Sequence, residues 1–153
     1  MYGIGIIFPS LTPAKVLDAL AREFPGADFL TIYIAEAHAS DEWSLGTTPA
    51  GANAGVNKKW DVALPRNMKD RLEVAQAWVK SLHPQTPYAV DLMDDNSRLA
   101  YGAWPERLVI IEDGVVQYYG GQGPWEYKPK EVADWLSHRF NGAPIKVWPL
   151  SRL

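Results

Sequence analysis

The chain has 153 residues, 47% of them apolar and 22% charged, with a net charge of -3 and no cysteine. This length fits a single domain, residues 1–153, with a core of its own, and the charge gives no reason to expect nucleic acid or an anionic membrane as partner. Without cysteine there is no disulfide, no thiolate metal site and no thiol nucleophile. No apolar stretch has the length of a membrane helix. The start, "MYGIGIIFPSLTP", lacks a basic n-region, so no signal peptide is expected. A cytoplasmic location is the default expectation.

The elements alternate along the chain. "YGIGIIF" reads as a first strand. In "SLTPAKVLDALAREF", Thr12 is expected as N-cap and Pro13 as the first helical residue, with Val16, Leu17, Leu20 and Phe24 on one face. Phe29 to Ile34 is a near-continuous apolar strand. Gly46 to Pro65 is a long polar loop, beyond the usual connection length. Asn67 to His83 is a helix whose expected core residues are Met68, Leu72, Ala75, Val79 and Leu82. "PYAVDLMDD" gives a short strand. In "ERLVIIEDGVVQYYGG", two apolar runs flank Asp113-Gly114, the signature of a tight hairpin turn. Val109–Ile111 should pair antiparallel with Val115–Tyr118. "KPKEVADWLSHRF" is the last helix, with Val132, Trp135 and Leu136 facing in.

Strand–helix–strand units favour parallel pairing, and the hairpin adds an antiparallel pair. The fold class expected is α/β and thioredoxin-like: a central mixed sheet flanked by helices on both faces. In such a sheet, functional groups gather at the carboxyl ends of the first strands. Glu36, His38, Ser40 and Asp41 crowd there, and Trp43 closes the stretch. Glu36 and His38 are two residues apart and share a face if the strand persists. A carboxylate beside an imidazole orients the ring and favours its charged form, an arrangement for acid–base chemistry. Structural pairing or loop capping is the plainer reading of the same two residues. A metal site from Glu36, His38 and Asp41 lacks a distant further ligand, so neither metal nor cofactor is expected. Trp78 and Trp135 read as core. Trp43, Trp104 and Trp125, near loop ends, are candidate walls of an aromatic pocket.

These residues carry a resemblance. "FLTIYIAEAHASDEW" resembles the "YIEEAHPSDGW" block of the iodothyronine deiodinases. Downstream, "AYGAWPERLVIIEDGVVQYYGGQGPWEYKPKEVADWL" resembles that family's segment that opens "AYGA-x-x-ERL" and closes on an "E-x-x-x-WL" helix, and "KDRLEVAQ" fits the intervening helix. The resemblance implies a thioredoxin-like fold, in which Pro105, before the penultimate strand, stands where such folds often hold a cis-proline. It implies a pocket in which His38 contacts a phenol ring or relays a proton and Arg107 meets a ligand carboxylate. Pairing with an acidic neighbour is the plainer reading of Arg107. The family's second histidine has no counterpart, and Pro65 stands near its position.

The family's catalytic turn has the form "GSCTUPP". Here the stretch reads "FPSLTPAK", with Leu11 at the auxiliary cysteine and Pro13 at the selenocysteine. Ungapped counting back from His38 puts Ile7 there instead; the first alignment keeps strand, loop and helix in register. Under either, the nucleophile is absent. Glu36 and His38 are therefore the candidate catalytic pair. Arg107, Ser10, Thr12, Ser40 and Trp43 are the candidate substrate-binding residues. The function expected is a non-redox pocket or interaction protein that binds a small, phenolic ligand. The alternative is an oxidoreductase-type dehalogenase working through Glu36 and His38 or a partner's thiol. A homodimer is a further expectation.

Overall fold

The structure is a computed structural model and describes residues 2–7, 11–42 and 62–142. In order, these form β1 (Tyr2–Ile7), α1 (Leu11–Glu23), β2 (Asp28–Tyr33), α2 (Met68–Leu82), β3 (Tyr88–Val90), α3 (Asn96–Ala100), β4 (Arg107–Glu112), β5 (Val115–Tyr119) and α4 (Pro129–Asn141). The expected order is observed, with α3 added. Most of the expected long loop lies outside the described residues.

The five strands form one mixed sheet in the order β3-β2-β1-β4-β5. β1 and β3 both run parallel to β2, while β4 is antiparallel to β1 and to β5. β2 is an interior strand, as its apolar run demands. The hairpin closes through Asp113 at φ 51° and Gly114 at φ 79°, a two-residue turn whose positive φ values match the strand twist. Its ladder pairs Glu112 with Val115 and Ile111 with Val116, then shifts at a bulge between Ile110 and Ile111.

α1 and α4 bury the faces that their apolar spacing dictates. Leu17, Leu20 and Phe24 of α1 meet Val132 and Leu136 of α4 over Phe29, Leu108 and Ile110 of the sheet. In α2 the buried stripe is Arg71, Ala75 and Trp78, whereas Leu72, expected inside, is 39% exposed. The helix is turned by about one residue from the apolar count. Tilted packing of Trp78 against Tyr33, at 6.4 Å between ring centroids and 59° between the rings, and the bonds made by Arg71 account for the rotation. α2 starts on Asn67, whose side chain accepts from the Asp70 amide at 3.1 Å, and ends on His83 in the left-handed region. α1 begins at Leu11, so Thr12 is its second residue and not the expected N-cap.

Phe29 and Tyr33 alternate to the same side of β2, and all three long helices pack on that side. On the opposite side Ile32 and Ile34 are covered by Tyr101, Ala103 and Trp104, and Leu30 is 37% exposed. Among the described residues no long helix covers that second side, so the expected sheet flanked by helices on both faces is met on one face only. None of the described helices is long and apolar enough to cross a membrane.

Candidate functional site

The topology brings three chain segments to one end of the sheet. β1 and β2 are parallel, so both end there. β4 is antiparallel and begins there, with Arg107 opposite Ile7. Segment 34–42 leaves β2 at this end and carries Glu36, His38, Ser40 and Asp41.

β2 stops at Tyr33, and the chain bends at Ala35, Ala37 and His38. Strict two-residue alternation therefore does not run from Glu36 to His38. Both residues are half-buried, and Ala39 between His38 and Ser40 is fully buried. Asp41 ties this segment down: its carboxylate accepts from the Leu64 amide at 2.7 Å and from Arg66 Nη2 at 3.0 Å. Those bonds, the backbone one first, hold the Asp41 carboxyl below its ordinary value. Ser40 donates its amide to the Val62 carbonyl at 2.8 Å. Ser40 and Asp41 thus clamp the 62–66 segment.

Glu36 has a different environment. Its Oε1 is buried with no hydrogen-bond partner. Burial raises its pKa to about 7, against the pull of the Arg71 charge. A carboxyl group in this state exchanges its proton near neutrality, as an acid–base group must.

Apolar counting does not single out Arg71, yet this residue organises the same end. It is buried, and its Nη1 donates to the carbonyls of Asp91 at 3.1 Å and Leu92 at 2.6 Å. The same nitrogen lies 2.9 Å from Asp95 Oδ1 as an ion pair, though no hydrogen is aligned on that oxygen. Arg98 Nη2 donates to Asp95 Oδ2 at 3.0 Å. Buried Asp91 takes the amides of Ser97 and Arg98 and donates its own amide to the Tyr33 carbonyl at 2.8 Å. The one available signal is in "KDRLEVAQ", where an arginine interrupts a helix otherwise patterned for burial.

Arg107 makes no bond to an acid among the described residues. Its Nε donates to the Gly102 carbonyl at 2.9 Å and its Nη1 to the Gly120 carbonyl, while its guanidinium lies 4.3 Å over the Tyr119 ring. The side chain is thereby oriented at the start of β4. Ser10 and Trp43 lie outside the described residues, as does the side chain of Thr12. Trp104 is half-buried against Ile34 and Ala103. Trp125 is 88% exposed. The Trp104–Pro105 bond is cis, as is Gly123–Pro124.

A second buried acid adjoins Arg107. Glu106 is 4% exposed, its Oε2 has no partner, and burial raises its pKa to about 7. The Tyr127 hydroxyl is also buried without a partner; burial and the Glu106 charge push its pKa up. Tyr118 donates to Glu131 at 2.9 Å. A glutamate before an arginine reads as a surface pair, so Glu106 carries no functional signal in the sequence.

The family profile of iodothyronine deiodinases matches residues 11–140. A type II iodothyronine deiodinase of Gallus gallus is 35% identical over 144 residues, covering 92% of this chain and 49% of its own length. A type I iodothyronine deiodinase of Xenopus laevis is 40% identical over 132 residues, with 86% and 48% covered. A thyroxine 5-deiodinase of Sparus aurata is 40% identical over 135 residues, with 88% and 46% covered. The crystal structure of an uncharacterized conserved protein from Geobacillus kaustophilus superposes with a TM-score of 0.55 at 14% identity, covering 96% of this chain and 71% of that one; it speaks to fold alone. The chain belongs to the iodothyronine deiodinase family. It spans about half the length of these curated relatives, and none of its 153 residues is a cysteine or a selenocysteine.

Proposed function

We propose that this chain is a deiodinase-family pocket protein of thioredoxin-like architecture that binds a small phenolic ligand without redox chemistry. The pocket lies at the end of the sheet where β1 and β2 finish and β4 begins. The observation that carries this reading is Glu36, a buried carboxyl with an unpartnered oxygen and a proton that exchanges near neutrality. Unsatisfied buried polar atoms are uncommon in folded proteins and ask for a partner. A phenolic hydroxyl supplies one that both accepts and donates. In this reading His38 is the second acid–base group, and Arg107, already oriented by two carbonyls, meets an anionic group of the ligand.

The strand order β3-β2-β1-β4-β5 and the crossing of Tyr101–Trp104 over Ile34 support the thioredoxin-like assignment. The whole relatives' deiodination is not carried over, because the chain offers no thiol or selenol to take up iodine. A cytoplasmic location and a homodimer belong to the same proposal.

A second reading, a dehalogenase with altered chemistry, draws on the same Glu36: a carboxyl with a pKa of about 7 is poised for general acid–base work at neutral pH, with a partner's thiol as reductant. Titrating halogenated and plain phenols in a calorimeter, with and without added thiol, separates the two. Saturable binding without turnover supports the pocket, and thiol-dependent halide release supports the enzyme. Absence of both binding and halide release contradicts the two readings together.

A further inference from the structure

The strand registers put Arg107 and Tyr119 together on the side of the sheet that no described long helix covers. Gly5 pairs with Leu30 and with Val109, and Val109 pairs with Tyr119. Paired residues share a side of a sheet, so Leu30, Gly5, Val109 and Tyr119 form one row across it. Arg107 is two residues from Val109 along β4 and shares that side. It is therefore the diagonal neighbour of Tyr119, one step closer to the end where β1 and β2 finish.

Across this diagonal the guanidinium carbon lies 4.3 Å from the centre of the Tyr119 ring. Tyr119 is 41% exposed, so its ring is not there to fill the core. Its hydroxyl is held as well, donating to the Tyr101 carbonyl at 2.8 Å. The next carbonyl, that of Gly102, accepts from Arg107 Nε at 2.9 Å. One loop thus grips both side chains. Gly102 stands at φ 50°, and a Cβ there would meet Tyr119 Oη at 3.0 Å, which is why the loop can lie so close to the ring. With Nη1 on the Gly120 carbonyl, Nη2 is bonded to no described residue and is the donor left for a ligand.

An arginine loses rotamer freedom when it grips an anion, and one already fixed avoids that cost. A ring face holds the cation from one side and leaves the N–H groups at its edge to hydrogen-bond. We propose that Tyr119 is the positioning residue of Arg107, and that by fixing the guanidinium it sets a preference for phenols that carry an anionic group. This rests on the reading of Arg107 as the contact for a ligand anion.

The test has two arms, each on wild type, Tyr119→Leu and Tyr119→Phe. The first follows the Arg107 Nε–Hε signal by NMR, assigned through Arg107→Lys. In wild type the ring face should shift it upfield, and its bond to Gly102 should slow its exchange with water. Tyr119→Phe should keep both properties; Tyr119→Leu should lose the shift and exchange faster. The second arm titrates para-hydroxyphenylacetate and para-ethylphenol, phenols of similar size with and without a carboxylate. Tyr119→Leu should weaken the acid about fivefold and leave para-ethylphenol unchanged, with Tyr119→Phe close to wild type. An Arg107 signal that Tyr119→Leu does not alter, or an equal loss of affinity for both phenols, overturns the proposal. The NMR arm needs no ligand, so binding of neither phenol by wild type tells against the phenol pocket, while the Arg107 signal still decides the role of Tyr119.

Discussion

Taking a carboxylate out of water without a compensating bond favours its neutral form, and Glu36 shows this in a raised pKa of about 7. Its folded value lies above the unfolded one of 4.5. The stability it contributes is therefore fully present below about pH 4.5 and lost as pH rises through 7. Glu36→Gln should flatten this part of the pH profile and unfold later than wild type at pH 8, by up to about 3 kcal/mol. Urea unfolding at pH 5 and 8 checks it; equal losses in both proteins would count against a buried, unpaired Glu36. Gly123 makes a second residue-scale prediction. A Cβ there would sit 1.9 Å from Glu106 Cγ, so Gly123→Ala should cost on the order of 1–3 kcal/mol. The double variant with Glu106→Ala should recover part of that loss, which a double-mutant cycle measures. Neither acid's environment was legible in the sequence. Glu36 stood out only for its company with His38, and Glu106 not at all, because desolvation is set by what the folded chain lays over a residue.

At the scale of elements, the local rules worked where local chemistry decides. The hairpin was legible because Asp113-Gly114 admits the two positive φ values its turn requires. Gly114 has open space around its Cβ position, so Gly114→Ala should cost about 1 kcal/mol from backbone strain alone, seen as a lowered urea midpoint with unchanged slope. Asn67→Ala should likewise cost about 1 kcal/mol by removing the cap of α2. The face of α2 differs from the apolar count for a tertiary reason. That count placed Leu72 inward, but Arg71 gains two carbonyl partners and an ion pair there, and Trp78 gains Tyr33. Those partners come from residues 91–95 and 33, which no helical periodicity contains.

At the scale of the whole molecule, the α/β order and the family membership could be read from sequence, because the motif blocks and the strand–helix alternation agree. The meeting of segment 34–42 with the start of β4 also follows from the parallel and antiparallel pairings. What the carboxyl end of the sheet holds could be read only in part. Glu36 and Arg107 are located there, Ser10 and Trp43 lie beyond the described residues, and Arg71 was supplied by the fold. With no thiol or selenol in its sequence, the pure chain should release no iodide from iodothyronines with a dithiol above background, as an iodide assay would register. The most direct measurement is calorimetric titration of a phenol identified by screening into wild type, Glu36→Gln and His38→Ala at pH 7. Each substitution should weaken binding at least about tenfold, roughly 1.4 kcal/mol, with both variants still folding cooperatively. Wild-type affinity retained in both variants would contradict the assignment of this end of the sheet as the ligand site.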